Sequence, residues 1–162
     1  MIAALDTAMY TLGQFFLAPV LLAIAALFGY AFYALGALLW QALQRRTGQA
    51  AGFELVALSA ARPVLDGAAL ELIAHERLEC ARIATRVAPM LGLVATMIPM
   101  GPALRALGDG QLADVSQALT LAFSAVILAL IAAAITYAVL NVRRRWYVRD
   151  LATLDRRRAQ AT

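Results

Sequence analysis

The chain has 162 residues, 63% of them hydrophobic, with 14 basic and 10 acidic side chains for a net charge of +4. Its mean hydropathy is +0.75, whereas a soluble domain is nearer half apolar, so the composition excludes an ordinary water-soluble fold. The single cysteine, Cys80, excludes an intramolecular disulfide or a cysteine metal cluster, and the single histidine, His75, excludes a bis-histidine haem within one chain.

A helix needs about 20 apolar residues to cross a bilayer. Thr11–Leu43, Val87–Leu104 and Val115–Val142 are each free of charge. These runs predict an all-α integral membrane protein with three transmembrane helices forming a single membrane domain. Residues 1–10 read as a short amphipathic lead-in helix, with Tyr10 at the membrane interface. A secretory signal is rejected there, because Asp6 is the only charge before the apolar run and the arginines come after it.

Span one, about Thr11–Leu43, carries Phe15, Phe16, Phe28, Tyr30, Phe32, Tyr33 and Trp40, bulky rings that suit a lipid-facing helix. Trp40 falls at the headgroup level before Arg45 and Arg46, and Pro19 is positioned to kink the span. In the loop region 44–85, Thr47-Gly48-Gln49 predicts a break. Phe53–Ala60 predicts a short helix, Arg62-Pro63 a second break and Asp66 an N-cap. The pattern from Ala68 to Thr85 is helical and predicts one helix from near Gly67 running on into span two. His75 and Cys80 lie five residues apart on this helix, on different faces, and read as surface and packing residues.

Span two, about Arg86–Leu107, holds Pro89, Pro99 and Pro102. Ala88, Gly92 and Thr96 recur at i, i+4, a small-residue stripe for close helix contact in lipid. Met100-Gly101-Pro102 predicts a distorted or terminated helix, and Gly108-Asp109-Gly110 a turn. The outer turn is 108–113, with Asp114 or Ser116 as cap of the third helix.

Span three, about Ala113–Val142, sorts into three faces at 100° per residue. Gln117, Thr120 and Ser124 form a polar stripe. Ala118, Ala122, Ala125, Ala129 and Thr136 form a close-packing stripe, and Leu119, Phe123, Val126 and Leu130 a bulky one. The polar stripe either looks into a central passage or spends its hydroxyls on the preceding turn of its own helix. Residues 143–162 continue as a basic amphipathic helix, with Trp146 and Tyr147 at the interface.

Every basic residue is arginine. Arg45, Arg46, Arg62, Arg77, Arg82 and Arg86 lie between spans one and two, seven more follow span three, and Arg105 alone lies on the other side. The positive-inside rule therefore puts the N-terminus outside and the middle segment and C-terminus in the cytoplasm. The same distribution argues against nucleic-acid binding. No nucleophile–base set, metal spacing or phosphate loop points to an enzyme or a cofactor. No Asp, Glu, His, Lys or Arg lies deep within a span, yet proton paths through membranes need an ionisable relay. Either a partner supplies the acid or the chain does not conduct.

Ala88-Pro89-Met90-Leu91-Gly92-Leu93-Val94-Ala95-Thr96 resembles the AP-x-x-GL-x-GT pattern of TolQ and ExbB, and Gln117-Ala118-Leu119 falls where that branch has Glu-Ala-Leu. On these residues, over about Arg86–Val142, the chain resembles the MotA/TolQ/ExbB proton channel family. Met97–Leu104 and Arg143-Arg144-Arg145-Trp146-Tyr147 are similar to its small three-span members, not to the four-span flagellar type. The resemblance implies a ring-forming oligomer, a homopentamer, with helices two and three extended into the cytoplasm. It also implies a dimer of a single-span ExbD-, TolR- or MotB-like partner carrying a membrane aspartate inside the ring. Thr96 then matches the pore-lining threonine of span two, and Gln117 the glutamate of span three. Ala95 replaces the small glycine, while Gln117 and Ala122 replace that glutamate and a threonine, which moves the proton relay onto the partner. The implied function is a subunit of a motor driven by the proton-motive force. The alternative is a non-conducting scaffold that packs and orients other membrane subunits.

Overall fold

A computed structural model describes residues 2–49, 52–62 and 67–161. The elements are α1 (Ile2–Arg46), α2 (Glu54–Ala61), α3 (Gly67–Gly108) and α4 (Leu112–Ala161). Three of these helices, α1, α3 and α4, are long and apolar enough to cross a membrane, and between 17% and 28% of their most apolar windows is buried within the protomer. Phe15 and Tyr33 are each 75% exposed and Leu22 71%. Apolar side chains left outward at that density suit lipid as the surrounding solvent.

The chain divides into two compact units, one of Met1–Ala31 with Ala84–Ala134 and the other of Phe32–Ile83 with Ile135–Thr162. In the first, Val20 and Ile24 of α1 pack with Ala95 of α3 and Ala125 and Ala129 of α4, flanked by Leu21 and Leu91. Small side chains at such a seam let helix backbones approach closely, which is how helices associate in lipid. A Cβ placed on Gly92 would stand 3.0 Å from the Cβ of Ala129 and 3.7 Å from the Cα of Val126. In the second unit, Leu55 of α2 packs with Ala74 and Leu78 of α3 and Tyr147 of α4, flanked by Leu140 and Leu151.

Both helix ends that carry a left-handed glycine close by the same device. Gly48 has φ +70° and Gly110 φ +74°. After α1, the Gly48 N–H donates to the Arg45 carbonyl (3.3 Å) and the Gln49 N–H to that of Gln44 (3.0 Å). After α3, Gly110 donates to Leu107 (3.2 Å) and Gln111 to Ala106 (2.8 Å). Each pair of bonds satisfies two terminal carbonyls, and glycine takes the positive φ without a Cβ clash.

Several local expectations are corrected. Residues 2–10 are the first turns of α1, not a separate lead-in helix. Met100-Gly101-Pro102 does not end α3, which runs on to Gly108 with Pro89, Pro99 and Pro102 inside it. Proline's fixed φ is itself helical, and each one deletes a single N–H from the ladder. Asp114 does not cap α4; it lies within the first turn, where the helix's positive end favours a carboxylate. The cap expected at Asp66 and the break at Pro63 fall outside the described residues.

Candidate functional site

The third span separates its stripes as the 100° rotation requires. On α4, Ala122, Ala125 and Ala129 are buried at 3%, 4% and 0% exposure, and Ala118 is half-buried. On α3, Ala88 and Gly92 are buried. Ala95 takes the next contact position, leaving Thr96 half-buried at the rim of the seam. A separate face of α4 carries Gln117, Thr120 and Ser124, all exposed on the protomer. Among the described residues, the stripe stays open on the protomer.

The hydroxyls at these positions are committed to their own helices as donors. Thr120 Oγ1 donates to the Ser116 carbonyl at 2.8 Å and Ser124 Oγ to the Thr120 carbonyl at 2.8 Å. Thr96 Oγ1 donates to the Leu93 carbonyl at 2.7 Å. Such back-bonding satisfies an alcohol in an apolar setting. It leaves the oxygen lone pairs available, so each hydroxyl can still accept a hydrogen bond from water or from a protonated carboxylic acid. The Gln117 amide can both donate and accept. None of these groups can hold a proton as a carboxylate would. The chemistry available on this face is therefore hosting, not relay.

At the end of α3 and the start of α4, Tyr10, Arg105, Asp109, Gln111 and Asp114 line a cavity of about 280 Å³. The Arg105 guanidinium lies 4.9 Å from the centre of the Tyr10 ring. Asp114 is exposed there, in the first turn of α4.

Sequence reasoning missed the polar framework of the second unit. Arg45 forms a bidentate pair with Asp150, at 3.3 Å to Oδ1 and 2.5 Å to Oδ2. Its Nε donates to the Gly52 carbonyl at 2.7 Å. Its guanidinium also stacks 4.8 Å from the Phe53 ring and 4.6 Å from the Trp146 ring. The side chains of the ion pair are only 12% and 5% exposed. Gly52 is buried against this arginine, and a Cβ there would fall 2.8 Å from the Arg45 backbone nitrogen. Glu54 accepts hydrogen bonds from Arg77 at 2.5 Å and from the Tyr147 hydroxyl at 3.0 Å. Tyr147 is 2% exposed, packed inside the protomer, because a carboxylate satisfies its phenol. Trp146 is half-buried beside Arg45. Burial, with the negative charge of Glu54 beside it, pushes the Tyr147 phenol above its ordinary pKa. The available signal was Asp150, one of two acids that follow the run Arg143–Arg145, though nothing in the sequence names Arg45 as its partner.

His75 and Cys80 are both exposed. The His75 ring Nε2 lies 3.0 Å from Arg82 Nη1. His75 and Cys80 therefore belong to the surface of α3.

No curated protein and no solved structure matches the chain at a significant level. The profile of the MotA/TolQ/ExbB proton channel family matches residues 61–156, which is more than half of the chain and includes the whole of spans two and three. With three membrane-length helices, the chain is a small three-span member of the MotA/TolQ/ExbB proton channel family.

Proposed function

We propose that this chain is the ring-forming subunit of a proton-driven membrane motor, a homopentamer in the inner membrane with its N-terminus outside and its arginine-rich half in the cytoplasm. The single observation that carries this reading is the exposed polar stripe of Gln117, Thr120 and Ser124 on a helix whose separate alanine face is closed by packing. A polar stripe left exposed on its own protomer, with lone pairs still free to accept, is what a shared central passage requires.

Because no acid lies in Val87–Leu104 or Val115–Val142, a single-span partner of the ExbD, TolR or MotB kind supplies the membrane aspartate. Thr96, Thr120 and Ser124 accept hydrogen bonds from that aspartate in its protonated form and from the water that delivers the proton. Neutralising a membrane carboxylate removes most of its desolvation cost, which frees the partner helix to shift against the ring. The output is envelope or transport work.

The test is proton uptake by proteoliposomes holding this chain with its co-purified partner, compared with the Thr96→Val and Thr120→Val/Ser124→Ala variants. Loss of uptake with unchanged assembly supports the reading. Uptake equal to the parent in both variants overturns it. A non-conducting scaffold is the second reading, favoured by one specific observation: the three hydroxyls already bond their own helices. It predicts no uptake by the parent and normal assembly in every variant.

A further inference from the structure

One strongly charged feature of α4 is used neither by the proton path nor by the packing of the second unit. Asn141, Arg144, Arg145, Val148 and Arg149 line a groove of about 330 Å³. The three arginines are exposed. Among the described residues no carboxylate forms an ion pair with any of them, whereas Arg45 pairs with Asp150 and Arg77 with Glu54. Arg144 also borders the neighbouring cavity that holds Glu71, His75, Arg82 and Tyr147.

We propose that this groove binds the phosphodiester headgroup of an anionic phospholipid. Two features point to a lipid. The groove begins one residue before the end of the uncharged run Val115–Val142, which is where a spanning helix leaves hydrocarbon for the headgroup layer. Its wall is mixed: guanidinium forks suit phosphate oxygens in a bidentate manner, the Asn141 amide suits a glycerol or ester oxygen, and Val148, 60% exposed, offers an apolar surface to the first methylenes of an acyl chain. A free phosphate has no use for that apolar wall. Orientation in the membrane requires only an excess of Arg or Lys somewhere in the flanking segment, so a topological role does not explain why three arginines, an amide and a valine share one face of α4. The proposal stands apart from conduction and needs only that α4 spans a bilayer.

The experiment counts lipids retained by the purified protein in nanodiscs of equal phosphatidylglycerol and phosphatidylcholine, by native mass spectrometry. The variant is Arg144→Gln/Arg145→Gln/Arg149→Gln; Arg156→Gln/Arg157→Gln, on the same helix but outside the groove, is the control. Each arginine near an anionic surface contributes on the order of a fivefold factor in partitioning. The parent and the control should retain phosphatidylglycerol over phosphatidylcholine by at least that factor, and the triple variant should retain the two equally. Equal retention by the parent overturns the proposal, as does a triple variant that keeps the preference. Displacement of phosphatidylglycerol by millimolar inorganic phosphate would also overturn it, because the groove would then be a simple anion site. Should the triple variant fail to accumulate, the parent preference and the phosphate competition decide on their own.

Discussion

The two units of this protein use polar side chains in opposite ways. In the first, Val20, Ile24, Ala95, Ala125 and Ala129 make a seam without a polar atom, and the hydroxyls of Thr96, Thr120 and Ser124 bond only within their own helices. In the second, side-chain bonds join elements that are distant in sequence: Arg45 to Asp150 across 105 residues and Tyr147 to Glu54 across 93. Where helices meet through small residues, van der Waals contact suffices and polar groups are free to serve the open face. Where a short helix and a buried glycine must be held, charged groups do the holding. Polar residues of the first unit are thus the ones to test for transport, and those of the second for stability.

The largest expected effect is in the second unit. Asp150→Ala leaves the Arg45 guanidinium buried without its counter-charge, and breaking a buried pair from one side costs about 3–5 kcal/mol. Denaturant or thermal unfolding in detergent should show it, and the joint replacement Arg45→Met/Asp150→Leu should recover most of the loss. A single variant as stable as the parent would show that the pair does not hold the fold.

Next comes the seam of the first unit. Gly92→Val places a branched side chain where even a Cβ meets Ala129 at 3.0 Å; overpacking of this kind costs about 1–3 kcal/mol. Size-exclusion profiles of the purified protein should broaden, while Gly101→Ala, where nothing stands within 4 Å, should leave them unchanged.

Tyr147→Phe should have a smaller effect, about 1 kcal/mol at neutral pH for one hydrogen bond. It should also change the alkaline limb. The folded state holds the phenolic proton more tightly than the unfolded chain does, where the pKa is near 10.0. The tyrosine's stabilisation is therefore complete below that pH and is lost as the pH rises through the raised folded-state value. Melting curves taken from pH 8 upward should fall more steeply for the parent than for the phenylalanine variant.

The smallest stability effect, near zero, is expected for Thr120→Val on an exposed face, even though transport should be lost. A variant that melts early would place Thr120 among the packing residues and erase the contrast between the units.

Much of the first unit was legible in the sequence, because it depends on local periodicity. Charge-free runs located the three long apolar helices, and the alanine stripe from Ala122 to Ala129 followed from 100° per residue. The two glycine-terminated helix ends were marked by Gly48 and Gly110, whose turns need a left-handed backbone. The second unit was legible only in outline, since its contacts join residues far apart in the chain. Nothing in the sequence sets Gly52 apart, yet it is buried because Arg45 folds over it. The burial of Tyr147 was not legible either, since it depends on Glu54, close in space and remote in sequence. Met100-Gly101-Pro102 misled for a different reason, since a proline costs one bond of a ladder and the remaining bonds carry α3 to Gly108.

The most direct measurement is the native mass of the complex that this chain pulls from its own membrane. The proposed function predicts a ring of five copies with a small single-span protein bearing a membrane aspartate. A monomer or dimer without such a protein would contradict it and leave the stripe of Gln117, Thr120 and Ser124 as a lipid-facing surface.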